Sequence, residues 1–209
     1  MRLSALKKLN NRIHWEARRG TQKQAIDYCK KDGTFREIGV PNKQGKRTDL
    51  DELAELAIDN EVNLYEVAMT MPATYARYHK GIERLRQLTY KPRTNRPLVY
   101  WRWGKAGVGK TRYCIERHPD HYIKDGTMWW DGYTQQEAII IDDFDGKWPY
   151  RDLLRILDRY AYQGQVKGGY ININSPYIYI TCEFEPSTFW IGNELDQVMR
   201  RLESVTEVL

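Results

Sequence analysis

Three regimes of hydrophobic and polar spacing follow one another along the chain. In the first, SALKKL has helical spacing, RIHWEAR alternates like a strand, and QKQAIDYCKK predicts a helix entered through a polar turn at Gly20 and Thr21. Residues 40–49, VPNKQGKRTD, end that α+β regime, and Thr48 is placed to cap a helix starting at Asp49. The second regime is helical: LDELAELAI repeats apolar residues at helical spacing, and Tyr75, Tyr78, Ile82, Leu85 and Leu88 form one stripe on a further helix. Its end is marked by TYKPRTNRP, residues 89–97, whose prolines cannot sit inside a helix. After Pro97 the order becomes strand (LVYWRW), glycine loop, helix, strands HYIK and AIIID, helix PYRDLLRILDRY, strand YIYIT and a last helix around LDQVMRRL. Such alternation predicts an α/β sheet covered by helices. Three segments result: 1–47, 48–96 and 97–209.

Composition refines this picture without changing it. Hydrophobic residues make up 41% and charged ones 29%, with 7 Trp and 15 Tyr, which suits a globular chain with extra aromatic weight. No window approaches the roughly 20 apolar residues of a membrane helix, so no membrane association is expected. Cys29, Cys114 and Cys182 are too few and scattered for a disulfide framework and read as plain thiols of a reducing compartment. The net charge of +5 is uneven: residues 1–47 carry 13 Lys/Arg against 4 Asp/Glu. That basic end suits a phosphate backbone, and equally a solvated face.

Residues 104–111, GKAGVGKT, satisfy G-x-x-x-x-G-K-[ST] between a predicted strand and helix. In that pattern Gly104, Lys105, Ala106, Gly107, Val108 and Gly109 turn backbone N–H groups toward phosphates, Lys110 reaches the outer phosphate oxygens and Thr111 holds Mg²⁺. About thirty residues on, a strand ends in Asp142 and Asp143, where a phosphate loop needs a carboxylate. Asp142 is expected to hold the ion through water, and Asp143 to orient or deprotonate the attacking water. Glu183, ending YIYITCE, is a candidate γ-phosphate sensor. Arg200 and Arg201, on the last predicted helix, are candidates for stabilising transition-state charge. Lys167, between glycines, suits a mobile loop touching nucleic acid, or a plain hairpin tip. Tyr28 and Lys31 share a helical face, which fits a tyrosine nucleophile with a charge beside it, or an ordinary core tyrosine. Cys114, His118 and His121 lack the partners for a four-coordinate zinc.

NRIHWEARRGTQKQAIDYCKKDG, QGKRTDL, GKAGVGKT, WWDGY, IIIDDF, WPYRDLLRILDRY, KGG and the closing RR occur in an order that resembles the replication-initiator (Rep) proteins of circoviruses and related circular single-stranded DNA viruses. The resemblance runs nearly end to end. It implies a P-loop ATPase domain of the superfamily 3 helicase, AAA+-like kind (97–209), a helical oligomerisation or connector segment (48–96) and an α+β remnant of an HUH endonuclease (1–47). It further implies ATP and Mg²⁺ as cofactors, single-stranded DNA as partner, a homo-oligomeric ring, and action in the host nucleus if the host is a eukaryote, otherwise in the cytoplasm. By position, Tyr28 is similar to the nicking tyrosine with Lys31 completing its motif, residues 104–111 to Walker A, Asp142 and Asp143 to Walker B, Lys167 to the DNA-contacting loop and Arg200 or Arg201 to the arginine finger. The family's paired metal-binding histidines belong upstream of Tyr28, where only His14 stands, so the chain is expected to begin inside that domain and to nick little; Mn²⁺ matters only if that site is restored. Glu183 replaces a common Asn and cannot donate a hydrogen bond to a phosphate. The leading expectation is an ATP-dependent motor on single-stranded DNA. The others are a nicking Rep fragment using Tyr28, a non-catalytic Rep that binds DNA or Rep rings, and an RNA-virus helicase of the same superfamily; WWDGY and YCKK favour DNA.

Overall fold

The structure, a computed structural model, describes residues 7, 8, 12, 20–31, 33–36, 48–59 and 61–209, and divides into two compact units, Met1–Glu52 and Leu53–Leu209. In the first unit, α1 (Gln22–Lys30) starts where the polar turn predicts. The Thr21 hydroxyl accepts from the Gln24 amide and the Gln24 side chain accepts from the Thr21 amide, a reciprocal cap that satisfies two otherwise open donors. Of SALKKL only Lys7 and Lys8 are described, and of RIHWEAR only Arg12; both of those elements, and His14, otherwise lie outside the described residues.

Helix α2 (Thr48–Ile58) starts at Thr48 itself rather than after it. Next come α3 (Leu64–Thr70), opened by a capping box between Asn63 and Glu66, and α4 (Pro72–Leu88). The sequence pattern does not predict α3, although Asn63 and Glu66 stand at capping-box spacing. Leu53, Ala57, Val67 and Ile82 form a small core, against which Tyr75, Tyr78 and Leu85 pack. Leu88 departs from the predicted stripe: it is 68% exposed, because the last turn of α4 runs past that core. Instead the buried Arg86 organises this end. Its guanidinium donates to the carbonyls of Leu56, Ala57 and Val62, satisfying the open carbonyls where α2 ends.

The α/β layer contains a five-stranded, all-parallel sheet in the order β2–β3–β6–β1–β7, with β1 (Leu98–Trp103), β2 (His121–Lys124), β3 (Ala138–Ile141), β6 (Tyr177–Cys182) and β7 (Ser204–Glu207). Parallel strands covered on both faces read as continuous apolar runs, and AIII and YIYI do. Alternation still sorts their side chains. Val99, Trp101, Ile139, Ile141, Ile178 and Ile180 join the large core with Leu153, Ile156 and Leu157 of α6 (Tyr150–Leu157), while Ala138, Ile140 and Tyr179 face Cys114 of α5 (Lys110–Arg117). β4 (Tyr162–Val166) and β5 (Gly169–Ile173) form a separate antiparallel hairpin, and α7 (Gly192–Met199) precedes β7.

Several boundaries differ from expectation for tertiary reasons. α6 stops at Leu157, short of Tyr160, where Arg93 enters the layer and donates to the carbonyls of Ile156 (2.5 Å) and Asp158 (2.8 Å). α7 stops at Met199, so Arg200 and Arg201 fall just beyond the helix, not on it. The polar edge strand β7, SVTE, has no signal of its own and exists because β1 offers it an open ladder. Among the described residues no helix is long and apolar enough to cross a membrane.

Candidate active site

The site is built at the carboxyl ends of β1, β3 and β6, where the open ends of parallel strands meet a helix start. β1 ends at Trp103, and the Gly104 amide donates to the Cys182 carbonyl of β6 at 3.2 Å. Gly104 has φ +148°, and a Cβ there would stand 2.3 Å from the Val208 carbonyl oxygen, so the loop can leave the sheet only through a glycine. Gly109, at φ +88°, then delivers the chain into α5. Lys105, Ala106 and Gly107 are exposed, Val108 and Gly109 half-buried. Lys110 opens α5 and is buried, with Nζ donating to the carbonyls of Gly104 (2.8 Å) and Lys105 (2.9 Å). Both acceptors are neutral carbonyls that do not offset a positive charge, an arrangement that suits an anion at the positive end of the helix.

Asp142 follows β3 and is half-buried. Its Oδ1 accepts from the Thr111 hydroxyl at 2.6 Å and from the Thr181 hydroxyl of β6 at 2.6 Å. Thr181, fully buried, also accepts from the Asp143 amide (3.2 Å), and its carbonyl accepts from the Phe144 amide (2.8 Å). Residues from the first turn of α5, the turn after β3, and β6 therefore share one hydrogen-bonded cluster. Asp143 itself has φ +47°, a left-handed conformation that Asp tolerates, and is exposed. Thr181 is the residue sequence reasoning missed; its only signal is a hydroxyl in an otherwise apolar strand. Glu183, the candidate sensor, lies one residue beyond β6 and is exposed.

A family model described as RNA helicase matches residues 100–184, a span running from β1 through β6. Similarity to curated proteins extends much further. The replication-associated protein of Human associated cyclovirus 1 is 37% identical over 97% of this chain and 77% of its own length. The chain belongs to the circovirus and cyclovirus replication-associated proteins. Those of Goose circovirus (37% identity; 87% of this chain, 62% of that one) and Canary circovirus (35%; 96% and 70%) agree.

The remaining candidates of this replication-associated protein are spread more widely. Arg201 is buried, with Nε and Nη2 on Asp158 Oδ2 (3.2 and 2.6 Å) and Nη1 on the Gln197 carbonyl (2.7 Å), whereas Arg200 is exposed. Burial alone would raise the Asp158 carboxyl, but the Arg159 amide and the Arg201 guanidinium hold it below the usual carboxylate range. Sequence treats the two arginines alike; their surroundings do not. Lys167 is exposed at the tip of the β4–β5 hairpin, its amide donating to Asp131 Oδ1 at 3.2 Å. In the other unit Tyr28 is 69% exposed on α1, and Lys31 Nζ lies 4.6 Å from its ring centroid, as their spacing predicts. Cys114 and Cys182 are buried and free, and burial pushes their thiols up to about 12 and about 11. His118 Nε2 is 3.0 Å from the Tyr179 hydroxyl, and His121 Nδ1 is 2.8 Å from the His118 carbonyl oxygen, so both imidazoles serve the fold.

Proposed function

We propose that the chain hydrolyses ATP and couples the cycle to movement on single-stranded DNA. The observation that carries this reading is the Thr111–Asp142–Thr181 cluster beside the buried ammonium of Lys110. Loop N–H groups, the start of α5 and Lys110 suit the triphosphate. The hydroxyl of Thr111 and the carboxylate of Asp142 are hard oxygen donors already within 2.6 Å of each other, a donor set that fits Mg²⁺. When bound, that ion neutralises phosphate charge. Thr181 helps to hold Asp142 in place through the same carboxylate oxygen, and Asp143, exposed beside it, orients or deprotonates the attacking water. Arg200, whose neighbour Arg201 is engaged by Asp158, is the arginine available to reach a neighbouring subunit of a ring. Lys167 meets the DNA backbone. DNA-stimulated ATP hydrolysis tests the reading: wild type turns over and Lys110→Ala does not, whereas equal rates, or no activity in wild type, reject it.

The Tyr28–Lys31 pair is the observation behind a second reading, in which the Tyr28 oxygen, losing its proton, attacks a phosphodiester: a tyrosyl O–P bond forms, the P–O bond to one sugar breaks and that sugar leaves as its hydroxyl, with Lys31 beside the developing charge. Little covalent adduct is expected when the protein is incubated with a labelled origin hairpin and Mn²⁺; an abundant adduct that Tyr28→Phe abolishes would establish this second activity, and identical products from both proteins would reject it.

A further inference from the structure

The WWDGY segment sends its two tryptophans in opposite directions. Trp130 is buried among Tyr122, Tyr133, Trp148 and Tyr162, and its indole fills the space a Cβ on Gly164 would need, 2.4 Å away. Trp129 faces outward at 36% exposure, with no aromatic partner among the described residues. It is not loosely held. Trp129 forms a single parallel bridge with Gln165 of β4, and the Trp130 amide donates to the Gln165 carbonyl at 2.8 Å, so the backbone of this segment is docked against β4.

Gln165 is in turn the ladder partner of Tyr170 on β5. Residues directly opposite in a ladder share a face. Trp129, Gln165 and Tyr170 therefore form one cross-strand row on the solvent side, whereas Gly164, Val166 and Ile171 point into the core. Tyr170 is 59% exposed, also without a ring partner among the described residues. At the strand spacing of about 4.8 Å the two aromatic side chains rise about 10 Å apart, with an amide between them. Basic groups border the row: Lys167 is exposed at the tip, and Arg84 Nη1 donates to the Tyr170 carbonyl at 3.3 Å. The nearby Asp131 carboxylate accepts from the Lys167 amide.

We infer that Trp129 and Tyr170 form a stacking platform for bases of single-stranded nucleic acid, with Gln165 between them and Lys167 and Arg84 beside the phosphates. Unpaired aromatic faces beside cations suit unstacked bases, whose π-faces bind with little regard to sequence. Charge complementarity selects this occupant over an apolar peptide. The inference rests on the nucleic-acid reading above and adds to it a site for bases, where Lys167 serves only phosphates.

Fluorescence anisotropy with the full chain tests it, using labelled oligothymidylate of about 15 nucleotides and an abasic strand of equal charge. Wild type is expected to prefer the thymidylate. Trp129→Ala and Tyr170→Ala each weaken thymidylate binding roughly 5- to 150-fold and erase the preference, whereas Trp129→Phe and Tyr170→Phe retain it. Lys167→Ala weakens both strands alike. If the alanine variants bind thymidylate as wild type does while Lys167→Ala weakens both strands, the platform is wrong and the nucleic-acid reading stands. If wild type binds neither strand, both fall. Alanine variants that change the size of the assembly on a sizing column while keeping the base preference would make this face a contact between copies, and overturn the platform.

Discussion

The strand ends around Lys110 and the outer face of the β4–β5 hairpin are two contrasting ways of presenting a surface. At the strand ends, polar side chains from a helix start, a strand end and a neighbouring strand are buried or half-buried and bound to one another, so the hydroxyl partners of Asp142 are already in place. On and beside the hairpin, Trp129, Gln165 and Tyr170 touch solvent and take their positions from a backbone bridge and ladder register. A preorganised cluster suits chemistry, where fixed charges matter most. An exposed row suits a partner that must slide and be released, because each contact adds a modest, separable amount.

Breaking the first region should therefore have the larger effect. Lys110→Ala is expected to lower ATP hydrolysis on the order of 10²–10³-fold, measured as steady-state phosphate release. Gly164→Ala attacks the second region from behind: a Cβ 2.4 Å from the Trp130 ring should lower stability by about 2–3 kcal/mol in urea unfolding and disturb the Trp129 row. Arg201→Ala, which leaves Asp158 without its guanidinium in a largely buried pair, should cost about 2 kcal/mol, while Arg200→Ala stays within about 0.5 kcal/mol. Equal losses at both arginines would remove the distinction drawn between them. Thr181→Val keeps the shape but leaves Asp142 Oδ1 with one hydroxyl; a loss of about 1–2 kcal/mol is expected, with a fall in turnover on the order of tenfold. The smallest effect concerns pH. The Asp158 carboxyl is held below its unfolded value of about 3.9, so its contribution is present above that pH and is lost as pH falls through the lower folded value. Acid unfolding below about pH 4 should accordingly be less steep in Arg201→Ala than in wild type.

Much of the first region was legible beforehand. GKAGVGKT and IIIDDF are local patterns: glycines that permit positive φ, a lysine at a helix start, carboxylates after an apolar strand. Each residue's local conformation follows from its near neighbours, and the structure agrees in placing Lys110 at the start of α5 and Asp142 against Thr111. Thr181 was not legible, because nothing within YIYITC says which neighbour that strand will meet. Leu88 had the right spacing and the wrong end of the helix, and Arg86, outside the predicted stripe, is buried because α2 ends beside it. Polar edge strand β7 and the arrest of α6 at Leu157 likewise depend on distant partners.

By itself the sequence determined the elements whose causes are short-ranged: the Thr21-capped helix, the apolar strands, the glycine loop that leads into α5 and the end-to-end likeness to circovirus replication-associated proteins. Only the tertiary structure decided that Thr181 completes the Asp142 cluster, that Arg201 is tied to Asp158 while Arg200 is exposed, and that Trp129 shares a row with Tyr170. The physical reason is range. Backbone preferences and periodicity act over a few residues, but sheet order and register join residues dozens of positions apart, and a one-residue slip would turn each of those side chains to the other face.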